Sequence, residues 1–80
     1  MDIKEVKDAI MKQLVIGLSY NAKTLKNKNG ERYPENEIYV AALELKNEGF
    51  IDIIFHDHET RRGEIRFITL TPKGKTDYKL

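Results

Sequence analysis

Phosphate binding is the chemistry this chain's side chains suit best. Arg61-Arg62-Gly63 and, three residues on, Arg66 form one basic group; Lys23, Lys26, Lys28 and Arg32 form another. Guanidinium forks match phosphate oxygens bidentately and Lys serves as a point charge, so both groups suit a polyanion. The plainer reading of each, a solvated turn and a solubilising loop, stands beside it. His56-Asp57-His58-Glu59 places two imidazoles on one side of an extended segment. Zinc takes three or four ligands and nothing else in the sequence completes the set, so these residues read as a strand-end polar cluster and no metal is expected. Catalysis finds no support: there is no cysteine, Ser19 is the single serine, and no glycine-rich phosphate loop occurs. Neither enzyme activity nor a cofactor is expected.

Eighty residues suffice for one domain, taken here as 1–80. Net charge is +1 but is segregated: +3 over residues 1–34, −6 over 35–59 and +4 over 61–80. No run approaches the roughly 18 apolar residues of a membrane span. The charged start Met-Asp-Ile-Lys-Glu lacks the apolar core of a signal peptide. With no cysteine, this fits a cytoplasmic protein without a membrane partner.

These side chains need elements to position them. Ile3, Val6, Ile10, Leu14 and Leu18 recur at helical spacing, and Asp2 with Glu5 resembles a capping box, so a first helix is expected over about 2–18. Asn21–Lys26 suits a short second helix, and Asn27-Lys28-Asn29-Gly30 is turn chemistry. A third helix is expected from about Pro34 to Glu48, ending at Gly49, with Ile38, Ala41, Ala42 and Leu45 on its core face. Tyr39, Val40 and Leu43 carry its apolar surface past that stripe. They read either as packing on the first helix or tail, or as a patch for a homodimer or a protein partner. Ile51, Ile53 and Phe55 then alternate as a strand. After a polar connection, Ile65 and Phe67, with Thr69 as an optional continuation, form an alternating return strand, with Ile68 and Leu70 on its other face. Pro72 and Gly74 close that strand, leaving Lys75–Leu80 as a tail.

Two segments carry a family resemblance. Leu43-Glu44-Leu45-Lys46-Asn47-Glu48-Gly49-Phe50-Ile51 resembles the end of a winged-helix third helix, and Ile68-Thr69-Leu70-Thr71-Pro72-Lys73-Gly74-Lys75 is similar to the segment closing the wing in MarR-like and PadR-like regulators. The resemblance spans about residues 35–75. It implies an α+β fold, a small winged helix with three helices followed by a two-stranded β-hairpin wing. It also implies double-stranded DNA as partner and a small bacterial or phage transcriptional regulator as function. On that reading Arg61, Arg62 and Arg66 act from the wing, and Lys23, Lys26, Lys28 and Arg32 from the second-helix region. The chain departs from the pattern in two places. Residues 27–34 replace a tight helix-turn-helix turn, and the third helix turns Asn36, Glu37, Val40, Glu44, Asn47 and Glu48 outward with no cation among them. Asn36 and Asn47 suit adenine edges, whereas the carboxylates oppose a phosphate-lined groove. The alternative is a winged-helix protein-interaction module that uses this acidic helix and does not bind DNA.

Overall fold

The computed structural model describes residues 3–17, 19–57, 60 and 63–80. Its order is α1 (Ile3–Val15), a single 3-10 turn (Ala22–Thr24), α2 (Glu35–Asn47), β1 (Ile51–Phe55), β2 (Ile65–Leu70) and α3 (Pro72–Asp77). This is a small α+β fold of three helices and one two-stranded antiparallel sheet.

The apolar stripes of the sequence become the core. Val6, Ile10 and Met11 of α1 are fully buried, as are Ala41, Ala42 and Leu45 of α2, with Ile38 nearly so. The two helices pack chiefly on each other; β1 lies along α2 and β2 approaches α1. Two alanines at the contact allow close approach, and burying each large aliphatic side chain contributes about 1.5–3 kcal/mol. The hairpin adds Ile51, Ile53 and Ile68 to the same cluster. A free two-stranded sheet is marginal in water, so this coverage by helices is what stabilises it.

The third helix of the sequence reading is α2, and its limits match. The Pro34 carbonyl accepts from the Glu37 and Ile38 amides at 3.1 Å each. At the other end Gly49, at φ +86°, reverses the chain toward β1. The first helix is shorter than expected, ending at Val15; Asp2 and Leu18 lie outside the described residues.

Three expectations are corrected. The second helix is only the 3-10 turn, capped by Asn21, whose side chain accepts from the Lys23 amide. Leu25 is already extended, and the chain continues as a narrow arm instead of a helix. In this arm the Tyr33 amide donates to the Leu25 carbonyl at 3.4 Å, Asn27 donates to Glu31 at 2.8 Å, and Lys26 and Arg32 stand opposite each other in an isolated antiparallel bridge.

The alternation of β2 is also interrupted, so Ile65 does not share a face with Phe67 and Thr69. Ile53 pairs with Ile68 and Ile51 with Leu70, which turns Ile68 and Leu70 inward, while Phe67 and Thr69 are exposed. The strict alternation fails because the register slips between Ile54 and Phe55: Ile54 pairs with Phe67 but Phe55 pairs with Ile65, leaving Arg66 as an extra residue. This β-bulge lets Ile65 and Ile68 both serve the core although three positions apart.

The tail, finally, is largely helix. Thr71 caps α3, accepting from the Gly74 amide at 3.0 Å, and Pro72 occupies the first turn. Gly74 is there for room: a Cβ at this position would lie 2.2 Å from the Phe50 carbonyl oxygen and 2.8 Å from Leu70 Cδ1.

Candidate functional site

The largest concentration of sequence-predicted site residues lies at the N-terminal end of α2. A cleft of about 490 Å³ there is lined by Lys23 from the 3-10 turn, Arg32 from the arm, Asn36 and Tyr39 from α2, and His56 and Arg66 from the hairpin. Residues far apart in sequence meet because the 3-10 turn and arm fold back beside the hairpin.

One buried side chain anchors the turn. Gln13, only 9% exposed, donates from Nε2 to Thr24 Oγ1 at 2.7 Å and accepts the Asn21 amide on Oε1 at 3.0 Å. A buried amide side chain satisfied at both ends fixes its partners, since leaving either end unpaired costs about 1–3 kcal/mol. In sequence Gln13 shows itself only as a polar residue one turn beyond Ile10 on an apolar stripe. Asn27 fixes the arm's turn, its Oδ1 accepting from the Asn29 and Glu31 amides at 2.9 and 3.0 Å.

The bulge serves the cleft directly. Arg66 is exposed, with its guanidinium 5.8 Å from the centroid of the Phe67 ring. Tyr39 is 39% exposed and sits on Phe55 with ring centroids 6.3 Å apart, so it forms an aromatic wall. Glu35 and Glu64 also line the cleft, opposing its three cations. Burial, and then the Glu35 charge, raises the Tyr20 hydroxyl pKa at the same wall and keeps that hydroxyl neutral.

Other predicted residues lie elsewhere. Lys26 and Lys28 line a separate groove between α1 and the arm, with Lys12, Glu5 and Asp8. Lys12 was not anticipated. Tyr33 closes this groove, donating its hydroxyl to Glu5 at 3.1 Å; burial first, and then that bond and the Glu5 charge, raise its pKa. Asn47 stands eleven residues along α2 from Asn36, about 16 Å at 1.5 Å per residue, and so does not share the cleft. Val40 is 44% exposed and Leu43 half-buried against the core. Glu37 is half-buried with Oε2 lacking a hydrogen-bond partner, and Glu48 pairs with Lys7.

Arg61, Arg62, His58 and Glu59 lie outside the described residues. Among the described residues no group of three or more His, Cys, Asp or Glu could hold a metal ion, and no helix is long and apolar enough to cross a membrane. The chain matches no protein-family model, no curated protein and no solved structure.

Proposed function

We propose that this chain is a small winged-helix protein that binds double-stranded DNA, gripping the phosphate backbone through the cleft at the start of α2 rather than reading bases with α2 itself. The observation that carries this reading is the convergence of Lys23, Arg32 and Arg66, from three separate segments, on one open cleft beside Asn36. Helices followed by a two-stranded hairpin fit a winged helix, although the second of its three helices is reduced here to the 3-10 turn and the third helix of the chain follows the hairpin. In sequence, Arg61 and Arg62 add two cations between the strands of that hairpin.

The charge on α2 decides the mode of binding. Glu44 is exposed on α2 and the half-buried Glu37 lies two turns before it, where a helix seated in the major groove would meet phosphates, whereas Glu48 follows the helix and pairs with Lys7. Most affinity for a duplex comes from phosphate neutralisation, so contacts from the cleft and hairpin would dominate and sequence preference would be weak. A small bacterial or phage regulator acting in the cytoplasm is the setting that fits such a protein.

The test is fluorescence anisotropy of a labelled mixed-sequence duplex at about 50 and 200 mM salt, with wild type, Arg32→Ala and Arg66→Ala. Three phosphate contacts correspond to a log–log slope near −2.7, or about a 40-fold loss of affinity over that range. Each variant should weaken binding and lower the slope by roughly 0.9. Absence of binding at the lower salt, or unchanged affinity in both variants, would overturn the reading.

A further inference from the structure

The outward side of α2 carries a pattern that meets the cleft only at its N-terminal end, through Asn36 and Tyr39. Asn36, Val40, Leu43 and Asn47 succeed one another at spacings of four, three and four, on the side opposite the buried Ile38, Ala41, Ala42 and Leu45. Spacing of this kind is the seam along which one helix meets another, because it keeps residues aligned through successive turns. Val40 is the exposed apolar centre of the seam, at 44%, and the half-buried Leu43 continues it one turn on. Glu37 and Glu44 run along one flank, Tyr39 and Lys46 along the other.

We propose that this face of α2 docks an amphipathic helix of another protein, whose apolar residues cover Val40 and Leu43 and whose Lys or Arg side chains lie against Glu37 and Glu44. Charge complementarity selects this occupant. A duplex would bring phosphates against the two carboxylates. A second copy pairing antiparallel would set Glu37 against Glu44 of its twin, and like charges across such a seam are destabilising. A second copy pairing parallel would leave Glu37 and Lys46 without opposite charges across the seam. A cationic helix satisfies the flank and removes Val40 from water together. The terminal asparagines fit this role, since polar seam positions specify register.

Two synthetic helical peptides with the same leucine seam, one with Lys and one with Glu at the flanking positions, provide the test. Fluorescence anisotropy would follow their binding to wild type, Val40→Lys and Glu44→Lys, each checked for folding by circular dichroism. The Lys peptide should bind wild type at least roughly tenfold tighter than the Glu peptide, a difference of about 1.4 kcal/mol. Val40→Lys should abolish that binding, and Glu44→Lys should reverse the preference. Because Val40 is exposed, both variants should retain the wild-type spectrum; should Val40→Lys unfold, Glu44→Lys alone decides through the reversal. No binding of the Lys peptide, equal binding of both peptides, or unchanged affinity in the folded variants overturns the proposal. So does sedimentation showing a wild-type dimer that Val40→Lys dissociates, which gives the face to a second copy, or a Val40→Lys protein that loses duplex binding but keeps the peptide.

Discussion

Tyr78 donates its hydroxyl hydrogen to Asp8 Oδ1 at 2.5 Å, joining the segment after α3 to α1 across 70 positions of the chain. The contact belongs to a cluster. The Tyr78 ring meets Phe50 edge-on at 5.1 Å, Lys4 lies over its face at 5.5 Å, and Lys73 sits over Phe50 while donating to the Glu48 carbonyl at 2.7 Å. The end of the sequence is thus a clasp on the helical core and not a loose tail.

Replacing Tyr78 with Phe should cost about 1.5–3 kcal/mol, the range for a hydrogen bond to a charged group. At about 4–8 °C per kcal/mol for a domain of this size, the melting temperature should fall by roughly 6 °C or more. Thermal unfolding followed by circular dichroism measures this directly; a change under about 1 °C would show that the bond contributes nothing net.

The same pair fixes the form of the pH dependence. Burial raises the Asp8 pKa, but hydrogen bonds from Lys4 and Tyr78 and the charges of Lys4 and Lys12 outweigh it and hold the carboxyl below its usual 3.8. Its contribution is therefore present above pH 3.8 and is lost as the pH falls through the lowered folded value. Burial, and then the bond to Asp8 with the charges of Asp8 and Glu48, pushes the Tyr78 hydroxyl well above its usual 10.0. That contribution is complete below pH 10 and is lost as the pH rises through the folded value. Stability measured from acid to alkaline pH should show both limbs in wild type, while Tyr78→Phe should weaken both, leaving the alkaline part that Tyr20 and Tyr33 contribute.

Gly74→Ala should destabilise although it lies inside a helix. An exposed helical Gly→Ala exchange ordinarily gains up to about 1 kcal/mol. Here the new methyl meets the Phe50 carbonyl at 2.2 Å, and forced overpacking costs typically about 1–3 kcal/mol. A rise in the denaturation midpoint would mean that α3 can shift away without loss.

Much of this arrangement was legible in the sequence, for local reasons. Pro34 and Gly49 punctuate α2, and Ile51, Ile53 and Phe55 alternate cleanly, so those elements fall where pattern places them. α3 is harder to see, although Pro72 marks its start as Pro34 marks that of α2, because Gly74 has the look of a strand breaker when its role is close contact. The simple alternation expected of β2 fails because a bulge breaks the period of two, and no residue type announces a bulge. The cleft required knowing that Gln13 holds the 3-10 turn, a tertiary fact. Basic residues taken as one group consequently divide, Lys23 and Arg32 facing the cleft while Lys26 and Lys28 face another groove.

Gln13→Leu should release the 3-10 turn without unfolding the core. It keeps the volume but leaves the Asn21 amide without its acceptor and the Thr24 hydroxyl with only its bond to the Asn21 carbonyl. Hydrogen exchange should accelerate at Asn21 while Val6 and Leu45 stay protected, a local opening distinct from global unfolding. Uniform loss of protection throughout would show that Gln13 supports the whole fold instead. Duplex affinity should fall with the local opening, because Lys23 loses its fixed position.

Deleting Arg66 should leave the fold intact. The pairing Ile54–Phe67 followed by Phe55–Ile65 becomes a regular ladder once the extra residue is removed, and Ile65 keeps its face. Stability should change by less than about 1 kcal/mol, as for removal of an exposed side chain, whereas duplex binding should fall at least as far as in Arg66→Ala. A large loss of stability would mean that the bend of the bulge, rather than its side chain, is what the hairpin needs.

Lys26 and Arg32 are paired across an isolated antiparallel bridge, yet Arg32 lines the cleft at the start of α2 and Lys26 the groove against α1. Asn27, whose Oδ1 accepts from the Asn29 and Glu31 amides, and the Leu25–Tyr33 hydrogen bond keep these two residues in register. The arm is therefore a partition between two recesses, and whatever shifts its backbone on one side moves a cation on the other.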